Sequence, residues 1–304
     1  MAFTLVLTLS MLGYCSAAGG SLWGYEKDGA AKWKDTFATC GLNSQSPIDI
    51  QTEGVVVKND LGTFKLTGYG GSIGMNMSNN GHTAKVVFNG DLYVENGGLP
   101  AKYKLAQFHF HWGSDNTKGS EHIINGNAFP MEVHFVHFKD SLGSLGAAVS
   151  EPEGLAVLGF FFEISETDNK VLNNIIDHLA NITDPSGNSE VVLSAQKFED
   201  LLPKNLDNFY RYSGSLTTPP CSETVVWTVF EDTIKISSSQ MAKFREMFSS
   251  EVDAQNNHVH LQNNYRPVQL LHSRKVYSSH NVNSASSLKG LGLMLTSLIA
   301  AIRL

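Results

Sequence analysis

The chain has 304 residues, 42% hydrophobic and 17% charged, with 22 Lys+Arg against 29 Asp+Glu and a formal net charge of −7. This composition can bury a full-sized core, which excludes a disordered or collagen-like chain, and the acidic balance argues against a nucleic-acid partner. At about 150 residues per domain the length suggests two domains, although all-β folds of 200–250 residues occur as one. Three cysteines make an odd count, and the N-terminal segment accounts for it.

Residues 2–14 (AFTLVLTLSMLGY) carry no charge and precede Ser16-Ala17-Ala18. A short apolar core followed by small residues is the pattern of a secretory signal, here residues 1–18. Its removal discards Cys15 and leaves Cys40 and Cys221 in a chain bound for an oxidising compartment, so the two are read as a disulfide. By the chain-entropy relation, so long a loop is worth at most about 5 kcal/mol.

Residues 19–280 contain no linker, repeat or low-complexity block. Short runs of β-branched and aromatic residues alternate with Gly/Asn/Asp turns, which predicts a single domain, mainly β (α+β). Its frame is a large twisted, mostly antiparallel sheet. Strands are expected at 54–58, 62–66, 85–88, 105–112, 131–138, 155–164 and 224–230, with hairpin-like turns at Asn89-Gly90-Asp91 and Asn96-Gly97-Gly98. Helical spacing is confined to 171–179 and 238–248, a few short surface helices. Two sequons, at Asn76 in a strand-like stretch and at Asn181 before a Thr-Asp-Pro turn, suit a secreted chain, and Asn181 is the better acceptor.

In Gln107-Phe108-His109-Phe110-His111-Trp112, both imidazoles project from one face of a strand and the phenylalanines from the other. In Met131-Glu132-Val133-His134-Phe135-Val136, the residues Glu132, His134 and Val136 share a face. If these strands are neighbours, three imidazoles converge, and three histidines with an open fourth position make a catalytic zinc site. A second H-x-H, His258-Val259-His260, lies among asparagines without aromatic interleaving and reads as a solvated loop. His178, His272 and His280 read as surface residues.

After Asn281-Val282-Asn283-Ser284 the chain ends in an apolar run of 13 residues between Lys289 and Arg303, short of the roughly 20 that span a bilayer. Small residues, a polar spacer and an apolar tail form the pattern of a GPI-anchor signal over residues 281–304, with Asn283 or Ser284 as the attachment site. The expected location is the extracellular face of the cell membrane, with secretion as the alternative.

These motifs come together in one resemblance. Trp23-Gly24-Tyr25, Gln45-Ser46-Pro47-Ile48-Asp49-Ile50, Asn80-Gly81-His82, QFHFHWG at 107–113, Ser120-Glu121-His122 and Glu132-Val133-His134-Phe135-Val136-His137 occur in order. Gly154-Leu155-Ala156-Val157-Leu158-Gly159, the GSLTTPPC run at 214–221 and Asn264-Tyr265-Arg266-Pro267-Val268-Gln269 follow. From about residue 22 to residue 270 the chain resembles an α-class carbonic anhydrase, of the extracellular, membrane-anchored type.

The resemblance implies zinc-dependent reversible hydration of carbon dioxide to bicarbonate and a proton, by attack of zinc-bound hydroxide. It assigns Zn2+ to His109, His111 and His134. In carbonic anhydrases themselves the metal brings bound water to a pKa of about 7. Gln107, Glu132 and the backbone carbonyl of Asn264 are expected to take the free ring N–H groups of His109, His134 and His111, fixing their tautomers. Thr217 is expected to donate to Glu121, leaving its oxygen only as an acceptor. His82 is the implied proton shuttle, with Tyr25 and Asn80 ordering the waters. Val136, Val157, Leu216, Thr218, Val225 and Trp227 match the substrate pocket, and His122 and His137 match structural histidines. Lys85 stands where fast members commonly carry Asn, and Phe138 and Tyr265 stand where the family often has Trp. The Cys40–Cys221 bridge stands where extracellular relatives carry theirs, bracing the loop of Thr217. The implied partners are carbon dioxide and bicarbonate, sulfonamide and anion inhibitors, and membrane through the lipid anchor, with no nucleic acid; oligomeric state is not specified.

Overall fold

Two of the expected strands become the middle of one sheet. Met131–Lys139 and Leu155–Ser165 are each buried over their first eight residues, as expected of strands covered on both faces. The computed structural model describes residues 23–26, 29–187 and 190–281; residues 1–22 and 282–304, which carry the expected signal and nearly all of the expected anchor segment, lie outside the described residues.

The frame is a twelve-stranded mixed sheet. Across it run Glu190–Lys197, Ser72–Asn79, Ala84–Phe88, Tyr103–Trp112, Met131–Lys139, Leu155–Ser165, Val225–Ser237, Phe209–Gly214, Tyr277–Ser278 and Val56–Val57. Most neighbours are antiparallel. Leu155–Ser165 and Val225–Ser237 pair in parallel, as do Tyr277–Ser278 and Val56–Val57. The sheet and its few short helices bear out the expected fold class.

Alternation along the central strands divides the core between the two faces. Val133, Phe135, Leu158 and Phe160 pack with Phe108, Phe110 and Trp112 on one side. Val136, Val157, Val225 and Trp227 pack together on the other. The second face carries the site.

Local expectations fail where pairing partners are remote in sequence. Asn89-Gly90-Asp91 does not close a hairpin: Ala84–Phe88 and Tyr93–Asn96 lie along the same edge of Tyr103–Trp112 and do not pair with each other. Asn96-Gly97-Gly98 does link antiparallel neighbours, with φ of 63°, 59° and 71°. The expected helix at 171–179 is three separate turns, Lys170–Leu172, Asn173–Ile176 and Leu179–Ile182, since its valine, asparagines and isoleucines are weak helix formers. Burial of Leu172, Ile175, Ile176 and Leu179 holds those turns in place. The helix expected at 238–248 is Ser238–Arg245, started by a capping box between Ser237 and Gln240.

His258-Val259-His260 is a short strand paired with Phe248–Val252 rather than a loop, with both imidazoles exposed. His280 is half-buried, and its Nε2 lies 2.9 Å from a Glu231 carboxylate oxygen. The strand-like stretch around Asn76 is the strand Ser72–Asn79, whereas Tyr93–Asn96, Glu190–Lys197 and Phe209–Gly214 are strands that the local pattern does not announce. Gly, Asn, Ser and Arg interrupt their alternation.

Candidate metal centre

Cross-strand register brings the histidines together. His109 lies opposite His134, and His111 opposite Glu132, between adjacent antiparallel strands. The ring centroids are 5.0 Å apart for His109 and His111, 5.3 Å for His109 and His134, and 4.6 Å for His111 and His134. One ring nitrogen from each lies within 4.8 Å of the others. Zinc–nitrogen bonds of about 2 Å fit that spacing. His111 and His134 are buried, whereas His109 is half-buried.

Each ring is turned by a partner on its other nitrogen. His109 Nδ1 lies 3.0 Å from Gln107 Oε1, His111 Nδ1 lies 2.7 Å from the Asn264 carbonyl, and His134 Nε2 lies 2.8 Å from Glu132 Oε1. Each partner is an acceptor, so each of those nitrogens carries the proton and the other ring nitrogen presents a lone pair. His111 Nε2 and Glu121 Oε2 are buried with no hydrogen-bond partner in the structure. Buried polar atoms are rarely left so, and a cation between the three nitrogens would satisfy the histidine. The donor set fits a metal ion.

Burial keeps all three imidazoles neutral. It lowers His109 well below the usual value, with the other two histidines and Lys85 adding to the effect, and brings His111 down to about 3. His134 is also lowered, less so because Glu132 works in the opposite direction. Lys85 is the cross-strand neighbour of His109, which puts a positive charge beside the site.

Glu132 is the hub of the buried polar network. It accepts the backbone N–H groups of Glu121 and His122, at 2.9 and 2.8 Å, and it holds His122 Nδ1 at 2.8 Å as well as His134. Burial alone would raise its carboxyl group, but the two histidines outweigh that and hold it well below the usual range. His122 passes the chain on through Nε2 to the Tyr212 hydroxyl at 2.7 Å, which donates to Ser46 Oγ at 2.8 Å. Gly159 faces His134 across the next strand. A Cβ there would lie 3.1 Å from Glu132 Oε1, so a side chain would crowd the pair.

Glu121 is buried beside the cluster, with Oε2 3.4 Å from His111 Nε2. Its other oxygen accepts the Arg266 backbone N–H at 2.8 Å. Burial raises this carboxyl group, and hydrogen bonds from the Arg266 backbone and the Thr217 side chain oppose the rise. Thr217 is buried, on the loop after Gly214. Leu216 N–H donates to Ser222 O and Cys221 N–H to Thr218 O, so the loop closes on itself. Cys40 and Cys221 form a disulfide, as the sequence predicts, with Cα atoms 4.9 Å apart.

Val136, Val157, Val225 and Trp227 form one apolar cluster on this face, with half-buried Leu216 against it and Thr218 half-buried on the same loop as Leu216. His134 and Trp227 meet edge to face at 4.8 Å. Phe138 belongs to the same cluster.

His82 stands apart from the three histidines. Its ring is stacked on Trp23, with centroids 3.8 Å apart and planes 10° from parallel, and burial lowers it to about 4. Asn80 is exposed, and its side-chain oxygen accepts the backbone N–H groups of His82 and Thr83. Tyr25 packs against Trp23 and Trp33. His137, buried, meets the Tyr69 hydroxyl at 2.7 Å. Of the sequon asparagines, Asn181 is exposed at the end of a turn, whereas Asn76 is half-buried in a strand paired on both sides.

Arg266, Tyr212 and Ser46 bear on the site without having been assigned a role from sequence. Arg266 and Ser46 stand inside quoted motifs, but only the fold shows the guanidinium bound to the carbonyls of Ser46 and Cys40 and to the Gln45 side chain.

A family model described as eukaryotic-type carbonic anhydrase matches residues 28–280. Carbonic anhydrase 6 of Canis lupus familiaris is 39% identical over 284 residues, covering 91% of this chain and 86% of the relative. Carbonic anhydrase 4 of Rattus norvegicus is 35% identical over 288 residues, covering 91% of each. Carbonic anhydrase 7 of Homo sapiens is 38% identical over 263 residues, covering 84% of this chain and 97% of the relative.

Proposed function

The chain belongs to the eukaryotic-type carbonic anhydrase family, and from that premise we propose the role of each residue in the reversible hydration of carbon dioxide that the family catalyses. His109, His111 and His134 hold a zinc ion. The observation that carries this reading is the set of three neutral imidazoles, each turned by Gln107, Asn264 or Glu132 so that its free lone pair meets the others. When bound, zinc supplies the Lewis acidity that makes hydroxide available near neutral pH.

The remaining work falls to the protein's own groups. The Thr217 hydroxyl donates to Glu121, so its oxygen is left to accept and selects a donor in front of it, orienting the nucleophile. Val136, Val157, Leu216, Val225 and Trp227 form an apolar wall suited to carbon dioxide, which has no charge to be recognised, and Thr218 borders it. His82 carries the product proton to solvent, with Tyr25 and Asn80 ordering the path. Sulfonamides inhibit the family generally, and anions are expected to compete at the same place.

Residues 19–280 are read as the catalytic domain, following a signal at 1–18 and preceding an anchor signal at 281–304. The disulfide supports passage through an oxidising compartment, and the GPI anchor would hold the enzyme at the extracellular face. Asn181, exposed on a turn, suits a glycan better than Asn76 does. Stopped-flow hydration of carbon dioxide on protein of measured zinc content tests the central reading. Stoichiometric zinc with sulfonamide-sensitive turnover is expected, and zinc-loaded protein without turnover overturns it. Release from membranes by a phosphatidylinositol-specific phospholipase tests the anchor; persistence on the membrane would rule it out.

A further inference from the structure

One short strand holds the backbone beside each partner of the His82–Trp23 stack. In Phe248–Val252, Ser250 N–H donates to the Gly81 carbonyl at 3.0 Å, one residue before His82. The next residue, Glu251, accepts Tyr25 N–H at 2.9 Å and lies 3.2 Å, through either oxygen, from Glu26 N. The contact is close: a Cβ on Gly24 would lie 2.1 Å from Glu251 Oε1 and would push the carboxylate aside. Trp33 adds a second hold, donating from Nε1 to the Gly24 carbonyl at 3.0 Å. Charge-assisted bonds from backbone N–H groups to a carboxylate are among the stronger hydrogen bonds.

We propose that Glu251 is a positioning residue for His82: its carboxylate straps down the Tyr25–Glu26 backbone, just after Trp23, and so keeps the Trp23 indole closed over the imidazole. Ser250 fixes the loop on which His82 is carried, so adjacent residues set the two sides of the stack. The inference rests on the shuttle role of His82 only for its consequence in turnover; the strap itself is a matter of geometry.

The strapped position makes His82 a poor proton acceptor. Burial lowers it to about 4, well below a donor with a pKa near 7. Of the titratable groups around the stack, Tyr25 and Glu251 come from the opposite side and Lys85 from the strand that follows His82; burial dominates the shift. Releasing the strap lets the indole lift and the imidazole reach water, where its ordinary pKa matches the transfer.

The experiment uses the zinc-loaded enzyme, with the His82 imidazole followed by proton NMR against pH and turnover measured in weak buffer. In Glu251→Ala the midpoint of His82 should rise from about 4 toward 6.5 and weak-buffer turnover should increase several-fold, with no change at saturating imidazole. Glu251→Gln, which keeps one acceptor oxygen, should fall between. An unmoved midpoint in both variants overturns the proposal, as does an equal change in turnover when Glu251→Ala is made in a His82→Ala background. If the midpoint moves while His82→Ala alone leaves weak-buffer turnover unchanged, the strap stands and the shuttle role falls.

Discussion

Glu132 Oε1 lies 2.8 Å from His134 Nε2 and 2.8 Å from His122 Nδ1. One buried carboxylate oxygen thus sets the tautomer of a histidine in the proposed metal site and ties it to a second histidine outside that site. The remaining oxygen is filled by two backbone N–H groups, so Glu132 cannot turn without breaking several bonds.

Glu132→Gln replaces an acceptor-only group by one that presents N–H donors toward His122 or His134. Zinc affinity should fall by about 10- to 100-fold. Equilibration against a chelator of known affinity measures it, and unchanged affinity would show that Glu132 does not set the histidine.

His134→Ala removes one of the three proposed nitrogen ligands. Stoichiometric zinc and carbon dioxide hydration should be lost together, as metal analysis and stopped-flow kinetics on one preparation would show. Full zinc in the variant would mean that His134 is not a ligand.

Thr217→Ala keeps the imidazoles but removes the hydroxyl proposed to donate to Glu121. The expected outcome is a fall in kcat/KM on the order of 100-fold with zinc content intact. A change below threefold would remove Thr217 from the reaction.

His82→Ala should slow turnover in weak buffer by about two- to tenfold, a limited loss because the strapped imidazole is a poor acceptor, and added imidazole should restore the rate. Rates in strong buffer should be close to those of the parent enzyme.

Acid sensitivity follows from His137, which burial holds at about 4, against an ordinary value of 6.5. The unfolded chain binds this proton more readily than the folded one between those values, so stability falls as pH drops through that window. For this residue the loss between pH 7 and pH 5 is about 2 kcal/mol. Urea unfolding of the metal-free protein at the two pH values measures it, and equal midpoints would contradict a neutral buried His137.

Much of the site was legible because strand alternation is a local property. His109 and His111 must share a face wherever their strand lies, and so must Glu132 and His134. The apolar stretch from Leu155 to Phe162 is long enough to require cover on both faces. The disulfide, too, could be read from cysteine count and compartment. The shorter strands were less legible, because Ser72–Asn79 takes one of its partners from more than a hundred residues away and Phe209–Gly214 takes one from more than sixty.

By itself, then, the sequence determined which side chains share a face and which chemistry they can offer, since period-two geometry and residue type need no partner. Only the tertiary structure decided that His109 meets His134 rather than another residue, that Arg266 lends its backbone N–H to Glu121, and that Glu251 reaches Tyr25. Those contacts join residues 25, 145 and 226 positions apart. Cross-strand register and loop closure over such separations are settled by the packing of the whole sheet, and no local pattern encodes them.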